Sequence, residues 1–176
     1  MVFRPFALIL GLAAALSPAL ALAEDMPSPK AGLWESRMAS PNGAMPEMTV
    51  KQCMDGKLDF QTVMRSMGGS CDLKWNRVAP DRIETETSCK MGPVAVTGKG
   101  VVVGDFNSKL HIETTSTATM EGATANAAAA LGIPTEPQSM IVEASWIGPC
   151  EPGQKPGDVI LPNGKVIEMP VPEKQQ

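Results

Sequence analysis

The chain has 176 residues, enough for one domain, and carries 15 Lys and Arg against 19 Asp and Glu, a net charge of -4. This acidic balance argues against nucleic-acid binding, which needs a clustered basic surface, and against adsorption to an anionic membrane. A single histidine excludes any metal site with several histidine ligands.

The first 23 residues have the pattern of a secretory signal peptide. A basic Arg4 precedes an apolar run over residues 6–16, and Ala21 and Ala23 occupy the two positions that a signal peptidase reads. The run is too short to span a hydrocarbon core of about 30 Å, and Pro18 interrupts its extension. We predict cleavage after Ala23 and an exported protein, periplasmic or secreted, with no transmembrane segment after cleavage.

Four cysteines in an oxidising compartment predict two disulfides. No pair has the C-x-x-C spacing that zinc sites favour, and no metal is expected. We favour Cys53–Cys71, which would staple a predicted helix at both ends, and Cys89–Cys150, which would tie the last strand to the central hairpin. The alternative is Cys71–Cys89, because a turn at Pro80 can place these two residues opposite each other.

Alternation with period two dominates the chain and predicts a mainly β fold. The clearest case is the hairpin over residues 71–91, where Cys71, Leu73 and Trp75 share one side. No strand–helix–strand alternation indicates a parallel sheet. We expect one curled antiparallel up-and-down sheet of about seven strands, with closure towards a barrel as the alternative. The expected strands cover residues 32–38, 48–54, 71–76, 83–91, 94–103, 109–119 and 139–147.

Two short helices are expected besides the strands. The apolar residues Phe60, Val63, Met64 and Met67 recur at helical spacing and predict an amphipathic helix over residues 58–67, packed on the sheet. An alanine-rich segment predicts a second helix over residues 121–131.

The composition divides the chain into a signal peptide (1–23), a flexible leader (24–31), a disulfide-bonded β domain (32–150) and a Pro/Gly-rich tail (151–176). In the tail, Asn163-Gly164 predicts a small hairpin that either docks or stays mobile. Residues 173–176 are expected to be disordered.

No group of residues predicts catalysis. His111 lies on the wet face of a predicted strand, and the sequence has no Gly-x-Ser-x-Gly nucleophile motif. Glu84 and Glu86 share the solvent face of a hairpin with Lys90, as ordinary strand-surface residues do. We therefore expect a protein that is not an enzyme and binds no cofactor.

The methionines offer a different chemistry. Met45 with Met48, and Met64 with Met67, each form a Met-x-x-Met pair. Thioethers are soft ligands for Cu(I), which makes these four residues copper candidates. The competing interpretation is that methionine fills irregular gaps in a core that has few aromatic residues.

The opening Gly32-Leu33-Trp34-Glu35, the four cysteines in order and the closing segment from Trp146 to Cys150 resemble one family. It is the domain of unknown function 3617 family of small exported bacterial proteins. The tail segments Lys155–Asp158 and Asn163-Gly164 are similar as well, whereas Ser145 stands where the family often has a basic residue. The resemblance implies export, disulfides and the fold, and it transfers no catalytic residue.

These observations favour an exported envelope protein with a structural or protein-interaction role and an unidentified partner. One alternative is a carrier of a lipid or another hydrophobic small molecule on the concave face of the sheet. The second alternative is the methionine-based Cu(I) site.

Overall fold

A computed structural model describes residues 26–43, 45–56, 69–134 and 136–168. These residues form one antiparallel sheet of nine strands and one short helix. The elements are β1 (Gly32–Ala39), β2 (Met48–Met54), β3 (Ser70–Ala79), β4 (Arg82–Met91), β5 (Val94–Gly104), β6 (Lys109–Met120), α1 (Ala125–Ala130), β7 (Gln138–Gly148), β8 (Asp158–Ile160) and β9 (Val166–Glu168).

The strands lie side by side in the order β3-β4-β5-β6-β7-β1-β2-β8-β9. Strands β3 to β7 form an up-and-down run, and β1 pairs with the last of them. The mainly β, antiparallel prediction is therefore confirmed. The sheet is open, with β3 and β9 at its two ends, so closure into a barrel is wrong. Nine strands replace the expected seven because the tail adds β8 and β9.

The two faces of the sheet differ because successive side chains of a strand point to opposite sides. The apolar face carries the core cluster of Trp34, Ile83, Val102, Leu110 and Ala144. Trp34 and Ile83 are 1% and 0% exposed. The polar face carries the charged residues of the same strands, such as Lys74, Glu86 and Glu143.

Trp34 connects the leader to the sheet. Its indole Nε1 donates to the Lys30 carbonyl oxygen at 2.8 Å, and the Lys30 backbone N–H donates to Phe106 O at 2.7 Å. Phe106 lies in the turn between β5 and β6, where the Asp105 carboxylate accepts three backbone N–H bonds. The hydrogen bond from the Ser108 hydroxyl, together with these backbone bonds, holds the pKa of Asp105 well below its usual range. The described part of the leader is therefore fastened to the end of the sheet.

Glycine inside β5 leaves room for side chains of the two neighbouring strands. A Cβ on Gly100 would lie 2.7 Å from Thr85 Oγ1 and 3.1 Å from Thr114 Cγ2. The pairings β4–β5 and β5–β6 place these two threonines directly opposite Gly100. Gly100 is thus a site where side chains from both neighbouring strands approach the backbone closely.

The disulfides are Cys53–Cys150 and Cys71–Cys89, so both favoured pairs were wrong and the alternative Cys71–Cys89 is confirmed. The register explains both bonds. Cys71 lies directly opposite Cys89 in the β3–β4 ladder. Leu33 of β1 lies opposite Cys53 on one side and Gly148 on the other, so Cys150, two residues further on, reaches across the start of β1 to Cys53.

The tail hairpin docks on the sheet. Strand β8 pairs with β2, and the Gly157 N–H donates to Cys53 O at 2.9 Å. The Leu161 N–H donates to Lys165 O at 2.9 Å and closes the turn around Asn163-Gly164. Of the two outcomes predicted for this hairpin, docking and mobility, the structure shows docking. A strand pair gains stability by joining a larger sheet.

The alanine-rich helix is shorter than expected. It covers Ala125–Ala130 instead of residues 121–131, and Thr124 Oγ1 caps it by accepting the Ala127 N–H. In the described part of the chain, no helix is long and apolar enough to cross a membrane. The predicted signal peptide, the predicted helix over residues 58–67 and the predicted disorder at residues 173–176 lie outside the described residues.

Replacing Trp34 tests the core. We expect Trp34→Ala to lower the free energy of unfolding by about 3–5 kcal/mol, because it empties a fully buried site. Trp34→Phe keeps a ring but leaves the Lys30 carbonyl without its donor, and it should lower the same free energy by less. Urea unfolding of both variants measures the difference. Equal losses would contradict a packing role for the indole.

The two disulfides should differ in their effect on stability. They close loops with sequence separations of 97 and 18 residues. On loop entropy, removing Cys53–Cys150 should lower the free energy of unfolding by about 4–5 kcal/mol, and removing Cys71–Cys89 by about 3 kcal/mol. Urea unfolding of the two paired Cys→Ala variants provides the comparison, and a larger loss for the 71–89 variant would contradict it.

Candidate functional site

Charges of opposite sign alternate across the polar face. Lys74 of β3 lies opposite Glu86 of β4, which lies opposite Lys99 of β5. The Lys99 ammonium is 3.2 Å from Glu86 Oε1. Because these side chains are exposed, each pair contributes little to stability. Their regular alternation gives the face a charge pattern that a partner can match.

A groove of about 470 Å³ lies on this face and is open to solvent. It extends from β3 to β6 and also touches Pro137. Its lining side chains are mostly charged or hydroxyl-bearing, among them Asp72, Lys74, Glu86 and Thr115. A smaller groove of about 330 Å³ lies beside it and adds Glu84 and Glu113. The charged and hydroxyl groups of these linings can pair with polar groups of a partner, while carbon atoms make up most of the exposed lining surface.

His111 is held between two carboxylates. Its Nδ1 lies 2.6 Å from Glu143 Oε1 and its Nε2 lies 3.0 Å from Glu113 Oε1. Glu113 follows His111 by two residues on the same face of β6, whereas Glu143 lies opposite it on β7. The next residue in this row is Arg37 of β1, paired with Glu47 at 2.7 Å. The exposed histidine expected from the sequence therefore has partners on both nitrogens.

The carboxylates act on the pKa of His111. The hydrogen bond to Glu113 and then that to Glu143 raise it from 6.5. With a carboxylate at each nitrogen, the protonated His111 ring donates to both, and the three side chains form an ion triplet. The contacts described for this cluster include no nucleophile. This arrangement suits charge neutralisation on the surface better than proton transfer to a substrate.

The outer edge of β3, meaning the side that faces away from β4, is the second notable feature. Within the described residues, β3 pairs with β4 alone. It is ten residues long, whereas β9 at the other end has three. Long strand edges carry rows of backbone donors and acceptors that can pair with another chain.

The register shows which backbone groups of β3 point outward. The Cα atoms of Cys71 and Cys89 are only 4.0 Å apart, as in a pair that exchanges no backbone hydrogen bonds. Because bonded and non-bonded pairs alternate, Leu73 and Trp75 are also in non-bonded pairs. Their N–H and C=O groups, with those of Cys71, therefore point to the outer edge. The groups of Asp72 and Lys74 bond to β4.

The other predicted site residues lie apart from one another. Glu84 and Glu86 are on the polar face as expected, and Glu86 pairs with Lys99. Met45 and Met48 are 53% and 40% exposed, so neither fills a gap in the core. Met64 and Met67 lie outside the described residues. The copper hypothesis therefore stays a prediction.

Two features of the site were missed by reasoning from the sequence. Alternation along β3 places Asp72 and Lys74 on the side opposite Cys71, Leu73 and Trp75, but their position at the edge of the sheet depends on the strand order. Glu143 carries no sequence signal that links it to His111, because their pairing depends on the register between β6 and β7.

Residues 29–150 match the family described as protein of unknown function DUF3617. The chain belongs to the DUF3617 family. The match includes both disulfides, the β3 edge and the polar face, and it stops before the hairpin of β8 and β9. No curated protein and no solved structure matches the chain.

The His111 cluster predicts a pH dependence in this DUF3617 protein. Because folding raises the pKa of His111, protonation of this residue stabilises the folded state. The stabilisation is complete below the unfolded pKa near 6.5 and is lost as the pH rises through the folded pKa. The stability difference between wild type and His111→Gln should therefore shrink as pH increases above 6.5.

An NMR titration of the His111 ring measures the same effect directly. We expect its midpoint to fall when Glu113→Gln and Glu143→Gln are combined. Lys109→Gln, on the same face of the same strand, is the control and should move the midpoint upward slightly or not at all. A midpoint that the paired Gln substitutions leave unchanged would contradict the role of the carboxylates.

Proposed function

We propose that this protein is an exported, non-catalytic protein-interaction module that binds a β-strand of its partner along the outer edge of β3. The observation that carries the proposal is the edge itself. Ten residues form the strand, and its outward backbone groups at Cys71, Leu73 and Trp75 have no strand partner within the described residues. Strand addition to a sheet edge is a recurring way to bind an extended segment.

The surroundings of the edge favour a specific partner. Asp72 and Lys74 project from β3 onto the polar face and line the groove of about 470 Å³. An added strand would place its own alternate side chains beside them, so its charges are selected by these two residues. Main-chain hydrogen bonds would supply affinity, and the charged pairs would set the register.

The Cys71–Cys89 disulfide supports this role. It joins β3 to β4 at the second residue pair from the start of β3. A strand that is already fastened loses less conformational freedom when a partner binds. Two disulfides also support export to an oxidising compartment, as does the signal-peptide pattern of the first 23 residues.

Substituting Leu73 tests the proposal in cells. A photo-crosslinking amino acid at position 76, an exposed site on β3, should yield a discrete crosslinked complex in the envelope. Leu73→Pro should abolish it, because proline removes an outward N–H and obstructs the edge while the ladder to β4 keeps its bonds. Leu73→Ala removes the same side chain but keeps the N–H, so it should retain the complex.

The thermal midpoints of both variants, measured first, confirm that each is folded. Complexes that persist in Leu73→Pro, or that form equally from a crosslinker at position 109 on β6, would contradict binding at the edge. A small extra mass in native mass spectrometry that organic extraction removes would instead favour an apolar ligand.

A further inference from the structure

We infer that the partner strand is β3 of a second copy of this chain, paired antiparallel about a two-fold axis at Leu73. This inference rests on the proposed function, since it names the partner for the same edge. This pairing joins the open sheets of the two copies into one through β3, the longer end strand of each sheet.

The backbone allows this register. The outward N–H and C=O groups belong to Cys71, Leu73 and Trp75, so bonds across the axis form only if these residues face one another. Pairing Leu73 with the partner's Leu73 places Cys71 opposite the partner's Trp75. Every outward group from Cys71 to Trp75 then meets an outward group of the other copy.

The charges select this register from its neighbours. With Leu73 on the axis, Asp72 lies opposite the partner's Lys74, and Lys74 lies opposite the partner's Asp72. These pairs exchange no backbone hydrogen bonds, which brings their side chains closest together. Moving the axis from Leu73 to Asp72 places Asp72 opposite the partner's Asp72. Moving it to Lys74 places Lys74 opposite the partner's Lys74.

The same register continues the charge pattern of the polar face. Within one copy the row runs Lys74, Glu86, Lys99, which is positive, negative, positive. The partner's Asp72 adds a negative charge beside Lys74, so the alternation extends across the axis without a like-charge neighbour. On the opposite face the half-buried Leu73 meets the partner's Leu73, and apolar side chains meet apolar side chains.

Reciprocal charge substitutions test the inference on the purified protein. Sedimentation over a concentration series should show a dimer for wild type. Asp72→Lys alone turns both attractive pairs into lysine–lysine pairs, and Lys74→Asp alone turns both into aspartate–aspartate pairs. Each should raise the dimer dissociation constant by at least about tenfold.

Mixing the two single variants should restore the dimer, because in the mixed pair every lysine faces an aspartate. The double variant Asp72→Lys with Lys74→Asp should restore it as well. Glu84→Lys on β4 and Lys109→Asp on β6 make the same charge changes on the same face away from the edge, and they should leave the dissociation constant unchanged. Restoration by mixing also shows that the single variants are folded.

A monomeric wild type at all concentrations, or a mixture no more associated than its components, would overturn the second copy as the partner. The crosslinking experiment separates that failure from failure of the proposed function. If the complex crosslinked at position 76 has a mass other than twice that of the chain and is lost in Leu73→Pro, the edge remains a binding site, but for a different protein. A complex with twice that mass supports the inference.

Discussion

The antiparallel register between β3 and β4 is the constraint on which the remaining features depend. By placing Cys71 opposite Cys89, it permits the disulfide and settles which backbone groups of β3 turn outward. The same register, continued through β5, places Lys74, Glu86 and Lys99 in one row of alternating charge. A slip of one residue would move every one of these side chains to the other face.

The two end strands of the sheet differ in length and in how they are held. At the β9 end, three residues form a short, exposed strand, which offers few groups for pairing. At the β3 end, ten residues form a strand that a disulfide holds in place. Charged side chains on an edge normally discourage pairing with other chains. Here Asp72 and Lys74 have opposite signs and are two residues apart, which makes the edge complementary to itself in one register and repulsive in the adjacent ones.

Much of this fold could be predicted from local pattern. The seven long strands and the Asn163-Gly164 hairpin were each predicted within a few residues, because period-two alternation and turn residues are properties of short segments. The polar faces of β3, β4 and β6 followed for the same reason. The length of α1 was overestimated because alanine favours a helix over the whole segment, whereas Thr124 caps it at a later residue. Both favoured cysteine pairs failed, because they rested on a staple around the predicted helix and a tie from the last strand to the central hairpin, whereas the strand register places Cys71 opposite Cys89 and brings Cys150 to Cys53.

The sequence by itself determined the class of the fold, the polar side of each strand and the resemblance to the DUF3617 family. Tertiary structure decided which strands are neighbours, and with that the Cys53–Cys150 link across β1, the carboxylate of Glu143 beside His111 and the position of β3 at the end of the sheet. The physical reason is that alternation acts between residues two apart in the chain. Strand order and register depend instead on contacts between residues far apart in sequence, and no local pattern encodes them.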